Sequence, residues 1–135
     1  MNICVCVDDM MGMSFFGRRQ SRDRLLIERL LTHTEFDRII VSEYSAPLFA
    51  EFGDGRVLVG DAYTECGDRD VCFIELGDIP DRDAINSILL YRWNRKYPSD
   101  KKLPFSPEEA GFMLVSRVDF IGNSHDNITE EVWTK

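Results

Sequence analysis

The chain has 135 residues, 44% hydrophobic and 30% charged, with a formal net charge of -8. That length suits one domain, residues 1–135, able to bury about two-thirds of its unfolded surface, and no apolar run approaches the roughly 20 residues that cross a bilayer. An acidic surface repels phosphate backbones and so disfavours nucleic acid as a partner, while the start MNICVCVDD lacks the basic segment of a signal peptide and points to the cytoplasm.

In chain order, NICVCV (2–7) is a short apolar, partly β-branched run and predicts a buried strand. Ser21 offers an N-cap oxygen and Asp23 a first-turn acid for a helix. Its stripe of Leu25, Leu26, Arg29 and Leu30 continues to about His33. RIIVS (38–42) predicts a second strand, APLFAEF (46–52) a short helix closed by Gly53, and RVLVG (56–60) a third strand. A polar loop or edge follows, then a fourth strand over 70–76. Asp81 caps a helical segment over 82–93 whose later half, SILLYRW, reads equally as a strand; periodicity does not decide so short a run. A proline-punctuated loop leads to FMLVSRVDFIG (112–122), an antiparallel strand, with residues 127–135 as its hairpin partner.

This order predicts an α/β, three-layer sandwich with a mixed, mostly parallel central sheet and an antiparallel C-terminal hairpin. Strand one is expected at the centre, between the strands at 38–42 and 70–76. The ligand crevice of such a sheet lies at the carboxyl ends of its strands, so the loop that follows strand one should reach it.

That loop concentrates positive charge. Arg18, Arg19, Arg22 and Arg24 fall within seven residues of an acidic protein. Guanidinium groups bind phosphate or carboxylate in bidentate fashion, a helix start at Ser21 would add N–H donors, and glycines at 12 and 17 would let the loop close on a ligand. These features make Arg18, Arg19 and Arg22 candidate ligands for an anionic small molecule. The alternative is that they pair with some of the 24 acidic residues, in surface contacts worth about 0–1 kcal/mol each. In YRWNRKYPSD (91–100) cations interleave with aromatics; such residues more often bury a ring and snorkel the charge than clamp a base. Ser124, His125 and Asp126 are adjacent, and adjacency on a turn is not a catalytic triad. Cys4 and Cys6 alternate along a strand as small buried residues, and Cys66 and Cys72 make no motif. With His33 and His125 isolated, the expectation is four reduced thiols and no metal site.

Taken in order, these stretches resemble a short, divergent dihydrofolate reductase. VDDMMGM resembles the family's first strand and mobile loop. RIIVS followed by GDGRVLVG resembles its next strand, cofactor-contacting helix and strand. LLYRWNRKYPSDKKLPF and the GFMLVSRVDF…HDNITEEVW hairpin resemble its C-terminal part. The chain also resembles a group of short uncharacterised bacterial proteins that carry RRQSRD and YRWNRKYPSD. The resemblance implies a carboxylate that protonates a pterin, with Asp23 near its position, and an arginine for the folate carboxylate, with Arg56 at its position; a solvated arginine after Gly55 would look the same. It also implies two phosphate-holding stretches, and here the chain departs. SEYS (42–45), with Glu43, replaces a basic stretch, and IELGD (74–78) replaces a glycine pair. The expectation is therefore no cofactor, and binding rather than catalysis. One alternative keeps NADPH and makes the chain a divergent reductase of a pterin-like substrate. The other makes it a non-catalytic interaction domain whose arginine loop docks a protein; a homodimer is open.

Overall fold

NICVCV becomes β1 (Asn2–Val7), and its unbroken apolar run reflects burial on both faces. Ile3, Val5 and Val7 enter one core cluster and Cys4 the other, because successive strand side chains point to opposite faces. The structure is a computed structural model that describes residues 1–135, and the side chains of all of them but Ala62 and Tyr63.

β1 runs parallel to β6 (Asp70–Phe73) on one side and β7 (Ser87–Arg92) on the other. β4 (Arg38–Val41) and β5 (Val57–Val59) extend the parallel part beyond β6. On the far side β10 (Ile128–Thr134) pairs antiparallel with β7 and with β9 (Met113–Phe120), so the strand order is β5-β4-β6-β1-β7-β10-β9. Strand one is central as expected, but the strand at 38–41 is not its neighbour. That place belongs to SILLYR, whose alternating side chains again feed both cores: Ile88 and Leu90 one, Leu89 and Tyr91 the other. Burial on two faces is what a strand achieves and a surface helix does not, so the segment expected as helical over 82–93 keeps only one 3-10 turn, Arg82–Ala84, capped by Asp81.

Two layers cover this sheet. On one face lie α1 (Arg24–Leu31) and two 3-10 turns, Ala46–Leu48 and Ala50–Phe52, the second ended by Gly53 at φ 59°. Leu26, Ile27 and Leu30 of α1, with Phe49 between the two turns, supply the buried side chains of this layer. On the other face a small antiparallel sheet, in the order β3-β2-β8, joins the core through Met13, with Leu103 and Phe112 from the segment that follows it. The small sheet is made of β2 (Gly12–Phe15), β3 (Arg18–Arg19) and β8 (Lys101–Lys102), none of which the sequence patterning suggested. The arginine loop is thus a hairpin. Its two-residue turn has Phe16 at φ 50° and Gly17 at φ 69°, the positive values that match strand twist. The segment expected as polar loop after β5 opens with a short helix, α2 (Ala62–Glu65).

Cys66 and Cys72 are joined as a disulfide pair, with Cα atoms 6.5 Å apart, which corrects the expectation of four reduced thiols. The chain between them folds back so that Cys66 packs on the cluster containing Cys72. Cys4 and Cys6 are free, and burial pushes both thiols well above their usual range. Among the described residues no helix is long and apolar enough to cross a membrane.

Candidate functional site

β3 delivers Arg18 and Arg19 to the edge of an open concavity of about 490 Å³, lined by Arg18, Arg19, Ser21, Arg22, Tyr44 and Ser124. The three arginines singled out from the sequence are therefore brought together, but they are not equivalent. Arg19 is spent internally. Its Nε and Nη2 donate to the Glu75 carboxylate at 2.8 and 3.0 Å, Nη2 also donates to the Tyr44 carbonyl, and the guanidinium lies 4.2 Å over the Tyr44 ring. Arg18 and Arg22 are exposed, and among the described residues neither has a carboxylate within ion-pair distance.

The helix behind the concavity starts later than expected. Asp23, not Ser21, is the N-cap of α1. Its Oδ1 accepts from the backbone N–H groups of Leu25 and Leu26 and from Asn123 N, while Oδ2 accepts from Ser124 N and the Ser124 hydroxyl. Arg24 N donates to Asn123 Oδ1. The first-turn N–H groups proposed for an anion are thus already used. Burial alone would raise the Asp23 carboxyl, but the Asn123 and Ser124 amides, then His125 and the Ser124 hydroxyl, hold it down at about 2. A carboxylate so fully engaged holds no proton near neutrality, and it ties the helix to the β9–β10 connection. Gly122 in that connection has no room for a side chain, since a Cβ would overlap the Asp23 carboxylate and Ile128 Cδ1.

His125 lies in the same connection, as the hairpin turn expected over 124–127 requires, but its ring points inward and is only 6% exposed. Trp93 stacks on it with centroids 4.5 Å apart. Nδ1 lies 3.1 Å from Asp23 Oδ2, and Nε2 lies 3.1 Å from Ser21 Oγ and 3.0 Å from the Tyr97 hydroxyl. Since the Asp23 carboxylate has no hydrogen to give, Nδ1 carries a proton, and in the neutral ring Nε2 has one lone pair for the two hydroxyls to share. Nothing local in SHDN signals this. The His125 partners Ser21 and Asp23 come from about 100 residues earlier in the chain and Tyr97 from 28, while the neighbouring Ser124 Oγ also lies 3.1 Å from Nδ1.

Arg56 lies away from the concavity. Its guanidinium donates to the carbonyls of Leu31 at 2.6 Å and His33 at 2.8 Å, and pairs with Asp54. Within the chain it closes the C-terminus of α1, where a cation also suits the helix dipole. Arg56→Ala should lower unfolding stability by about 1–2 kcal/mol, measured by urea denaturation; an arginine that served a ligand alone would leave the midpoint unmoved.

A larger cleft of about 620 Å³ opens at the carboxyl ends of β4, β5 and β6. Ile40, Val59, Phe73 and Ile74 are among its apolar lining, and Glu43, Asp61, Glu75 and Asp78 also face it. Asp78 pairs with Lys101 and Glu75 with Arg19, so both cations serve carboxylates of this cleft. Among the described residues no group of three or more His, Cys, Asp or Glu is arranged to hold a metal ion.

No family model and no curated protein matches the chain. Among solved structures it is similar to a dihydrofolate reductase from Enterococcus faecalis, described as complexed with NADP(H) and RAB-propyl. The TM-score is 0.62, over 98% of this chain and 94% of that one. The chain has the dihydrofolate reductase fold. At 7% identity the likeness carries the fold alone. The mixed, mostly parallel sheet and the antiparallel C-terminal hairpin agree with that dihydrofolate-reductase-like frame.

Proposed function

We propose that this dihydrofolate-reductase-like domain binds an anionic small molecule in the concavity between the β2–β3 hairpin and α1, without a nicotinamide cofactor. The observation that carries the reading is the pair Arg18 and Arg22: two guanidiniums lining one concavity, without carboxylate partners among the described residues, in a chain of net charge -8. Like charges crowded on one wall repel each other, and an anion removes that cost. Ser21, Ser124 and Tyr44 add hydroxyls to the same wall. The lining of the cleft at the ends of β4–β6 supports the second half of the reading, since Glu43 would oppose the phosphates of a dinucleotide there, and the cations Arg19 and Lys101 are already held by Glu75 and Asp78.

Inorganic phosphate at ten times its Kd should stabilise the fold by about 1.4 kcal/mol, a rise of about 4 °C in Tm for a domain of this size. Constant ionic strength is needed, because salt alone screens the arginines. The double variant Arg18→Ala, Arg22→Ala should lose that rise and keep its far-ultraviolet spectrum. NADPH titrated to tens of micromolar should not saturate a fluorescence signal. Saturable NADPH binding with hydride transfer to dihydrofolate would establish the reductase alternative instead, and a Tm indifferent to phosphate would leave the arginines a solvated surface.

A further inference from the structure

The concavity holds more than cations. Ser21 lines its wall, His125 stands behind Ser21, and Asp23, at 3% exposure, stands behind His125. The distances along this row are 3.1 Å from Ser21 Oγ to Nε2 and 3.1 Å from Nδ1 to Asp23 Oδ2. A hydroxyl within hydrogen-bond reach of an imidazole, whose other nitrogen is fixed by a buried carboxylate, is the arrangement that activates a serine for nucleophilic attack. The carboxylate is itself immobilised by four backbone amides, from Leu25, Leu26, Asn123 and Ser124. Trp93 packs on the imidazole face, so the ring cannot turn away without losing that stack. Accessibility rises from Asp23 to half-buried Ser21, as a relay facing a substrate requires.

The geometry points to Ser21, His125 and Asp23 as nucleophile, general base and orienting carboxylate of a hydrolase, acting on small carboxylic esters that carry an anionic group. The anionic group rests on the binding reading above; the relay does not. Ser21 Oγ attacks the ester carbonyl carbon, its proton passes to His125 Nε2, and the carbonyl π pair moves onto oxygen. When that pair returns, the C–O bond to the alcohol breaks and the leaving oxygen takes the proton from Nε2. Water then attacks the acyl-serine by the same route, giving its proton to Nε2. Collapse returns that proton to Ser21 Oγ and releases the acid. The sum is ester plus water to acid plus alcohol, with no cofactor. Arg18 and Arg22, on the same wall, would hold the substrate's own anion. The Tyr97 hydroxyl also lies 3.0 Å from Nε2, so it and Ser21 share one lone pair, and Ser21 attacks in the state in which its own hydroxyl is the donor.

Two ester probes and one covalent probe test this. The full chain should hydrolyse p-nitrophenyl hemisuccinate, and a fluorophosphonate should label Ser21, located by peptide mass spectrometry. Ser21→Ala removes one hydrogen bond and should keep the fold, yet it should lower kcat/KM by at least about 100-fold and abolish labelling. His125→Gln should slow labelling of Ser21 comparably while Ser21 remains present. Arg22→Ala should raise KM for the hemisuccinate more than it raises KM for p-nitrophenyl acetate. If the wild-type chain and Ser21→Ala hydrolyse both esters equally and no adduct forms on Ser21, the relay is overturned, even where phosphate still raises Tm. If Ser21-dependent hydrolysis favours the acetate and phosphate leaves Tm unmoved, the anionic substrate is overturned and the nucleophile is not.

Discussion

Glu130→Ala should lower the unfolding free energy by about 3–5 kcal/mol, the cost of removing one partner from a buried charge network. Glu130 is 2% exposed in the middle of β10. Its carboxylate accepts from the Tyr91 hydroxyl at 2.7 Å, from Arg29 Nε and Nη2 at 3.2 Å each, and from the His33 ring at 3.0 Å. Truncation would strand a buried tyrosine hydroxyl and two cationic side chains at once. Burial alone would push this carboxyl up, but His33, then Arg29 and Tyr91, bring it down from 4.5 to about 2. A depressed carboxyl contributes stability that is present above its unfolded value and lost as pH falls through the folded one. The window of loss therefore runs from about 4.5 to about 2. His33 moves the other way. Its hydrogen bond to Glu130 raises it above 6.5, despite burial. Its contribution is complete below 6.5 and is lost as pH rises through the folded value. The pair is thus jointly strongest between about pH 4.5 and 6.5. Urea unfolding of the wild type and of Glu130→Gln across pH 2–8 checks this: the glutamine variant should be weaker near neutrality and should lack the part of the acid-side decline that Glu130 supplies. A Glu130→Ala midpoint within about 1 kcal/mol of wild type would mean that the network contributes no net stability.

Asp23→Ala should cost about 2–4 kcal/mol, more than the roughly 1 kcal/mol of an ordinary N-cap, because the same carboxylate also anchors the β9–β10 connection. The helix loses its acceptor for Leu25 and Leu26, and the connection loses those for Asn123 and Ser124. With the carboxyl held at about 2 against a usual 3.8, this contribution also is present above 3.8 and disappears as pH falls toward 2, so acid unfolding should draw on Asp23 and Glu130 together. Native-state hydrogen exchange reads the two halves separately: the amides of Leu25, Leu26, Asn123 and Ser124 should all lose protection in the variant, while β1 and β7 exchange only through global unfolding. Retained protection at Asn123 and Ser124 would show that the connection is held by other contacts.

Much of the frame was legible because a strand buried on both faces leaves a signature that a short stretch of chain can carry. NICVCV, RIIV and 128–134 are such stretches, 113–120 is instead an exposed edge strand, and their order implies a mixed sheet with an antiparallel end. The resemblance to dihydrofolate reductase lay in that order, and so did the departures at Glu43 and at residues 74–78, which line the large cleft. SILLYR was undecided for a reason: four apolar residues in a row satisfy either period, and only the vacancy beside β1, filled by Ser87–Arg92 in register, makes it a strand.

What the sequence by itself determined, then, is which runs must be buried, because that depends on residues close in sequence. The tertiary structure decided the partners of the polar side chains. Ser21 looked like a helix cap and lies instead on His125; Asp23 two residues later does the capping. Arg19 was one of three equivalent arginines until β6 and the segment after it placed Glu75 beside it, 56 residues away. Arg56 looked like a ligand residue until the end of α1 came within reach of its guanidinium. The physical reason is the same in each case. A charged or hydroxyl side chain meets its partner through space, at a distance of about 3 Å that no spacing along the chain encodes, and only the packed sheet brings residues a hundred positions apart to that distance.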